Sequence, residues 1–150
     1  MAIFSAKYFD DIEIGERVVT KGRTITESDL VNFAALTWDN YSLHTNAEYA
    51  KNTSYGERIA HGMLVLSFAI GLLMAEPSST LAFYGYDRLR FTAPVKIGDT
   101  IHVETQLTEK QDKGPQGGVV TAHLMVKNQR GETVLDAITK TLIAHSPALN

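Results

Sequence analysis

The sequence predicts an α+β fold in which an antiparallel β-sheet wraps around one long, central, apolar helix. Three observations predict it. The stretch from His61 to Ala75 is apolar on nearly all sides, and a helix of that kind must be covered around its circumference. Downstream, Leu81 to Phe91, Thr100 to Glu109, Gly118 to Asn128 and Thr133 to His145 are rich in β-branched and aromatic residues with partial alternation. Short connections join these strands, which favours antiparallel pairing over βαβ units with their long crossovers.

Each element has a local reason. Asp11 to Glu16 reads as an extended lead-in turning at Gly15, and Val18 to Thr20 as a short strand. Thr26 opens a helix. Asp29 stands at the capping-box spacing, Glu27 favours the positive end of the helix dipole, and Leu30, Phe33, Ala34 and Thr37 follow at helical spacing. Trp38 to Thr45 reads as irregular, and Asn46 caps a short helix from Ala47 to Lys51. Within the long helix, Leu64, Phe68, Leu72 and Ala75 form a core stripe. The helix ends at Glu76-Pro77-Ser78-Ser79, where Pro77 bars continuation. Turns fall at Lys96-Ile97-Gly98-Asp99, Lys113-Gly114-Pro115 and Asn128-Gln129-Arg130-Gly131. No repeat or linker interrupts the chain, so residues 1–150 are expected to form one domain.

Composition narrows the function. A net charge of −3 without a basic block gives no footing for nucleic acid. With no cysteine, disulfides, thiolate nucleophiles and Cys-ligated metals are excluded, which fits a reducing compartment. The first residues lack the apolar core of a signal peptide, and the densest apolar run, Met63 to Ala75, is too short to span a bilayer. A cytoplasmic protein with no membrane partner is expected.

Two stretches carry chemistry. In Thr37-Trp38-Asp39-Asn40-Tyr41-Ser42-Leu43-His44, a carboxylate and an imidazole stand five residues apart. Such a pair can share acid–base work near neutral pH. On one helix the two would lie about 140° apart, so the segment between them must turn. Spacing alone equally allows a capping Asp and an unrelated loop His. The second stretch is Ile59-Ala60-His61-Gly62-Met63-Leu64. First-turn N–H groups of a helix lack intrahelical partners and attract negative charge. At Gly62 no Cβ would hinder a carbonyl approaching such an N–H, although a plain N-cap glycine reads the same way.

The stretch Asp39 to His44 resembles the D-x-N-P-x-H motif of MaoC-like (R)-specific enoyl-CoA hydratases. Tyr55-Gly56-Glu57-Arg58-Ile59-Ala60-His61-Gly62-Met63-Leu64 is similar to that family's F-G-x-x-I-A-H-G-M-L segment. Phe91 to Thr100 is similar to its F-x-x-P-V-x-x-G-D segment. The three occur in family order, and the resemblance covers roughly Tyr8 to His145. It implies a hot-dog fold and reversible syn hydration of a trans-2-enoyl-CoA to an (R)-3-hydroxyacyl-CoA. It implies that Asp39 and His44 hold the water, one as base and the other as acid at the α-carbon. It implies that the Gly62 N–H polarises the thioester carbonyl, with His61 beside it at the helix entry, either on the substrate side or as a residue that shapes the loop rather than a catalyst. It implies an acyl-CoA or acyl-carrier thioester as substrate, no metal or other cofactor, and a homodimer or larger assembly of hot-dog dimers. Trp38 replaces the family's common Gly, Tyr41 its Asn and Ser42 its Pro, so the shell around the pair is altered.

Other polar residues read more plainly. Ser67 lies mid-helix, where a back-bond to the preceding turn is expected, and neither Ser67 nor Ser42 sits in a nucleophile motif. His102 and His123 fall on strands without ligand spacing, and His145 reads as solvated. Tyr84, Tyr86, Arg88 and Arg90 read as alternating decoration of one strand face. The competing functions are a hot-dog acyl-CoA thioesterase and a non-catalytic acyl-thioester-binding subunit.

Overall fold

The computed structural model describes residues 7–74 and 79–147. Six strands form one sheet: β1 (Arg17–Val19), β2 (Arg23–Thr24), β3 (Thr80–Phe91), β4 (Thr100–Asp112), β5 (Gly117–Lys127) and β6 (Thr133–Ala144). Among the described residues four α-helices accompany it, α1 (Glu27–Thr37), α2 (Ser42–Thr45), α3 (Ala47–Lys51) and α4 (Gly62–Leu73), with a short 3-10 helix at Phe9–Asp11. The strand order is β1-β4-β5-β6-β3, with β2 also on β4, and every pairing is antiparallel.

Local chemistry sets several boundaries. Thr26 accepts from the Asp29 N–H while the Asp29 carboxylate accepts from the Thr26 N–H, so the reciprocal cap forms with Asp in place of Glu. Asn46 caps α3 by accepting from the Tyr49 N–H. The loop after α1 contains one helical turn, α2, where the sequence suggested irregular chain. A two-residue strand, β2, was too short to stand out.

The helix α4 is buried by the sheet along one side. Leu64, Val65, Leu66 and Ala69 lie in the core with Ile101, Val103, Leu124, Val126 and Leu135 of the sheet. Burying each large aliphatic side chain is worth about 1.5–3 kcal/mol, more than the ~1 kcal/mol of a helix cap. Core burial therefore places α4. The expectation of cover on all sides is corrected. Met63, Ser67 and Met74 are exposed, because the sheet curls round only part of the circumference. Of the predicted stripe, Leu64 is buried while Phe68 and Leu72 are half-buried. Ala75 and Glu76-Pro77-Ser78 lie outside the described residues.

Strand β3 departs from the sequence reading in two ways. It does not pair with its sequence neighbour β4 but with β6, so the chain from Thr92 to Asp99 crosses to the other side of the sheet. Register shifts at Phe83/Gly85 and Tyr86/Arg88 also break the alternation. Tyr86 packs against the core, whereas Arg88 pairs with Asp136 beside His123 on the other face. The four residues therefore do not decorate a single face.

The crossing 92–99 is fixed by Asp99. Its buried carboxylate accepts from the Lys96 N–H (2.9 Å), Gln129 (2.7 Å) and Arg130 (2.9 Å). Burial raises its pKa, and these donors together outweigh that and hold it below the usual carboxylate range. Gly98 turns with φ +94°, and its N–H reaches the Ile25 carbonyl at 2.8 Å. The crossing then braces the entry of α4. Ile59 bridges Lys96, and the Ala60 N–H donates to the Val95 carbonyl at 2.7 Å.

Among the described residues no helix is long and apolar enough to cross a membrane. His145 is not solvated as the sequence suggested. It meets the Asp10 carboxylate at 2.8 Å and packs edge-on against Phe9, joining the two ends of the described chain. The Asp10 hydrogen bond raises the His145 pKa, while the Ser146 N–H and then His145 lower that of Asp10. The His145 contribution is complete below its unfolded value of about 6.5 and fades as pH rises through its raised folded value. The Asp10 contribution is present above about 3.9 and fades as pH falls. His145→Ala is therefore expected to lower the thermal midpoint more at about pH 5.5 than at about pH 8.5. Equal losses by scanning calorimetry at both would refute the pairing.

Candidate active site

The site forms where the loop after α1 meets the entry of α4. One side-chain donor atom from each of Asp39, His44 and His61 lies within 4.8 Å of the others. The turn demanded by the Asp39–His44 spacing is made by Trp38 and α2. Trp38 adopts the left-handed conformation with φ 64°, its N–H capping α1 on the Ala34 carbonyl at 2.8 Å. That conformation favours glycine, and a non-glycine residue there costs roughly 1–2 kcal/mol. Trp38 is 83% exposed, so burial of its ring does not repay the strain.

His44 is fixed by its neighbours. Its Nδ1 lies 2.8 Å from the Ile59 carbonyl oxygen. A carbonyl only accepts, so Nδ1 carries the proton and the neutral ring offers a lone pair at Nε2. The Asp39 side chain is exposed to the cleft and takes a long contact of 3.4 Å from the Tyr41 N–H. Tyr41 stands edge-on to His44 at 6.0 Å and hydrogen-bonds Tyr49 through their hydroxyls at 3.2 Å. Ser42 is the first residue of α2. The altered positions thus rebuild the flank of the pair and leave its donor atoms converged.

His61 is 2% exposed and supplies the N-cap position of α4. Its Nε2–H donates to the Asp39 backbone carbonyl at 3.0 Å. Its ring stacks on His44 at 4.0 Å with 28° between planes, and Phe33 lies 5.0 Å away. Burial pushes its pKa below the ordinary value, and His44 adds to this against the opposing Asp39 contacts. The remaining nitrogen, Nδ1, is buried without a partner, a deficit of about 1–3 kcal/mol. Ligand atoms of Asp39, His44 and His61 this close together also have a spacing at which a metal ion could be held.

Gly62 begins α4, and no protein acceptor takes its N–H among the described residues. A Cβ on Gly62 would meet the Phe91 ring at 2.8 Å, so Phe91 gives a second reason for glycine. Asp39, His44, His61, Gly62, Tyr55, Met63 and Phe91 line one cleft of about 330 Å³ with Thr92, Ala93 and Pro94 of the crossing. All four predicted site residues are thus brought together. Phe91 and Tyr55 were missed as cleft residues, although both lay within the recognised segments. Ser67 back-bonds the Met63 carbonyl at 2.7 Å as expected, while His102 meets Glu104 and His123 meets Asp136, both away from the cleft.

Residues 11–129 match the family described as MaoC like domain. The chain belongs to that family. It is 40% identical over 101 residues to an (R)-specific enoyl-CoA hydratase of Rhodospirillum rubrum, covering 67% of this chain and 69% of that protein. It is 42% identical over 108 residues to protein MaoC of Klebsiella aerogenes, covering 71% of this chain but only 32% of that protein. The chain thus spans about a third of the Klebsiella protein's length. Among solved structures, it resembles a protein from Archaeoglobus fulgidus described as a monoamine oxidase regulatory protein. That match has a TM-score of 0.88 and 47% identity, covering 95% of this chain and 97% of that one. The fold is the hot dog. A Mycobacterium tuberculosis protein described as having a double hotdog fold superposes with TM-score 0.85 at 21% identity, covering 97% of this chain and 46% of that one.

The Phe91–Gly62 contact is testable. Gly62→Ala is expected to cost about 1 kcal/mol, and a Phe91→Ala background should recover at least ~0.5 kcal/mol of it. Additive losses in urea denaturation would show that the ring does not press on this position.

Proposed function

We propose that the protein hydrates trans-2-enoyl-CoA thioesters reversibly and syn, giving (R)-3-hydroxyacyl-CoA. The observation that carries this is the fixed tautomer of His44 beside the Asp39 carboxylate, in a cleft closed by the N-terminus of α4. In hydration, His44 Nε2 takes one proton from a water whose other hydrogen points to Asp39. The water oxygen bonds to the β-carbon as the double bond shifts toward the thioester. The Gly62 N–H, at the positive end of the helix, stabilises the enolate oxygen. The His44 imidazolium then returns its proton to the α-carbon on the same face. Both hydrogens of the water are accounted for, so this route draws on no metal or redox cofactor. Assigning both proton movements to His44 refines the sequence-based expectation, which divided them between the two residues.

Relatives support the class. Besides the Rhodospirillum hydratase, a Methylorubrum extorquens protein named 3-hydroxybutyryl-CoA dehydratase is 35% identical over 102 residues. In this reading the acyl tail occupies the apolar cavity of about 170 Å³ beside the second half of α4, lined by Ile70, Leu73, Leu107 and Leu124. The reading includes a cytoplasmic homodimer. β3 ends the strand order, and residues 81–91 have no second strand beside them among the described residues. The strand also exposes Leu81, Phe83, Tyr84 and Phe91. An open, apolar edge favours pairing with a second copy.

Crotonyl-CoA tests the reaction. Loss of the enoyl absorbance without thiol release is expected. Asp39→Asn and His44→Ala should each lower kcat/KM at least ~100-fold. Thiol release with the enoyl signal intact would indicate thioester hydrolysis instead. A wild type that hydrates crotonyl-CoA while both variants stay near its rate would remove the assigned roles.

A further inference from the structure

Stability alone does not account for His61. Its Nδ1 is buried without a partner, and an apolar side chain of similar size would remove that deficit. A group that burdens the fold yet stands against the reactive pair is better explained by what it does there. Its contacts identify that task. The Nε2–H holds the Asp39 backbone carbonyl, which sets the direction of the carboxylate above it. The ring lies flat on His44, opposing rotation out of the plane that the Ile59 carbonyl selects. Phe33 backs the His61 ring from the core.

We propose that His61 is the positioning residue of the Asp39–His44 pair, holding the carboxylate through its Nε2–H and the imidazole through a neutral stacked ring. It does not exchange protons with substrate. A protonated His61 would place a second positive charge 4.0 Å from His44, opposing the imidazolium that the reaction forms. Burial lowers the His61 pKa and so favours the neutral ring that avoids this conflict. The titratable groups facing His44 are Asp39, Tyr41 and His61, with Tyr55 lining the same cleft.

The kinetic part of this proposal rests on the hydratase reading, and the tautomer part does not. The test follows the His44 ring nitrogens by NMR at one fixed pH, together with melting and crotonyl-CoA kinetics, in wild type, His61→Leu and His61→Gln. His61→Leu is expected to melt at or above wild type. Its His44 ring should show both tautomers in place of the single Nδ1–H form, because no stacked ring opposes rotation away from the Ile59 carbonyl. Its kcat should fall at least ~30-fold while KM changes less than ~3-fold. His61→Gln keeps an N–H for the Asp39 carbonyl and should restore at least ~5-fold of kcat. A single Nδ1–H tautomer of His44 in a folded His61→Leu would overturn the proposal. If the Leu variant does not fold, mixed His44 tautomers in the Gln variant, which lacks the ring, would support it, and a single Nδ1–H tautomer there would overturn it. A wild type inactive on enoyl thioesters would sink the hydratase reading alone, leaving the tautomer to decide positioning.

Discussion

The short segment Ile59–His61 is where sheet, helix and loop are tied together. Its outer face is strand-like, bridging Lys96 and donating from Ala60 to the Val95 carbonyl. Its Ile59 carbonyl takes the His44 Nδ1–H and so selects the tautomer of that ring. Its last residue begins α4 and reaches across to the Asp39 carbonyl. Remove this junction and the cleft loses the anchor of the His44 ring, its helix terminus and the anchor of the Asp39 backbone together. The buried apolar side of α4 supplies the rigidity that makes the junction effective.

Two buried polar side chains near this junction make a useful contrast. Asp99 is buried and fully supplied with donors from Lys96, Gln129 and Arg130. It is a structural group that fixes the crossing, and the fold benefits from it directly. His61 is equally buried yet leaves one nitrogen unpaired. Chains tend to keep such deficits where function needs them. The strained Trp38 conformation, in the turn that brings Asp39 back toward His44, follows the same pattern.

The sequence is legible where local physics decides. The Thr26–Asp29 cap and the Asn46 cap are contacts across three residues, and both form. The four long strands appear within a few residues of their predicted ends because β-branched runs and glycine turns mark them. Long-range choices were not legible. That β3 pairs with β6 depends on where the 92–99 crossing leads, and the bulges that turn Tyr86 inward and Arg88 outward leave no trace in residue type. Asp39 and His44 stood out through the resemblance rather than their spacing. The His61 contacts, which reach 22 residues back in the chain to Asp39, became visible only once the chain was folded. His145 misled because nothing near it in sequence announces Asp10.

The central claim is that Asp39 and His44 present one water to one face of an enoyl thioester. The most direct measurement is the stereochemistry of crotonyl-CoA hydration carried out in deuterium oxide, read by proton NMR of the 3-hydroxybutyryl product. A single base that takes and returns the proton requires the new C–O and C–D bonds on the same face, and the proposed product has the (R) configuration at the β-carbon. Anti addition, or deuterium scrambled over both faces of the α-carbon, would contradict it.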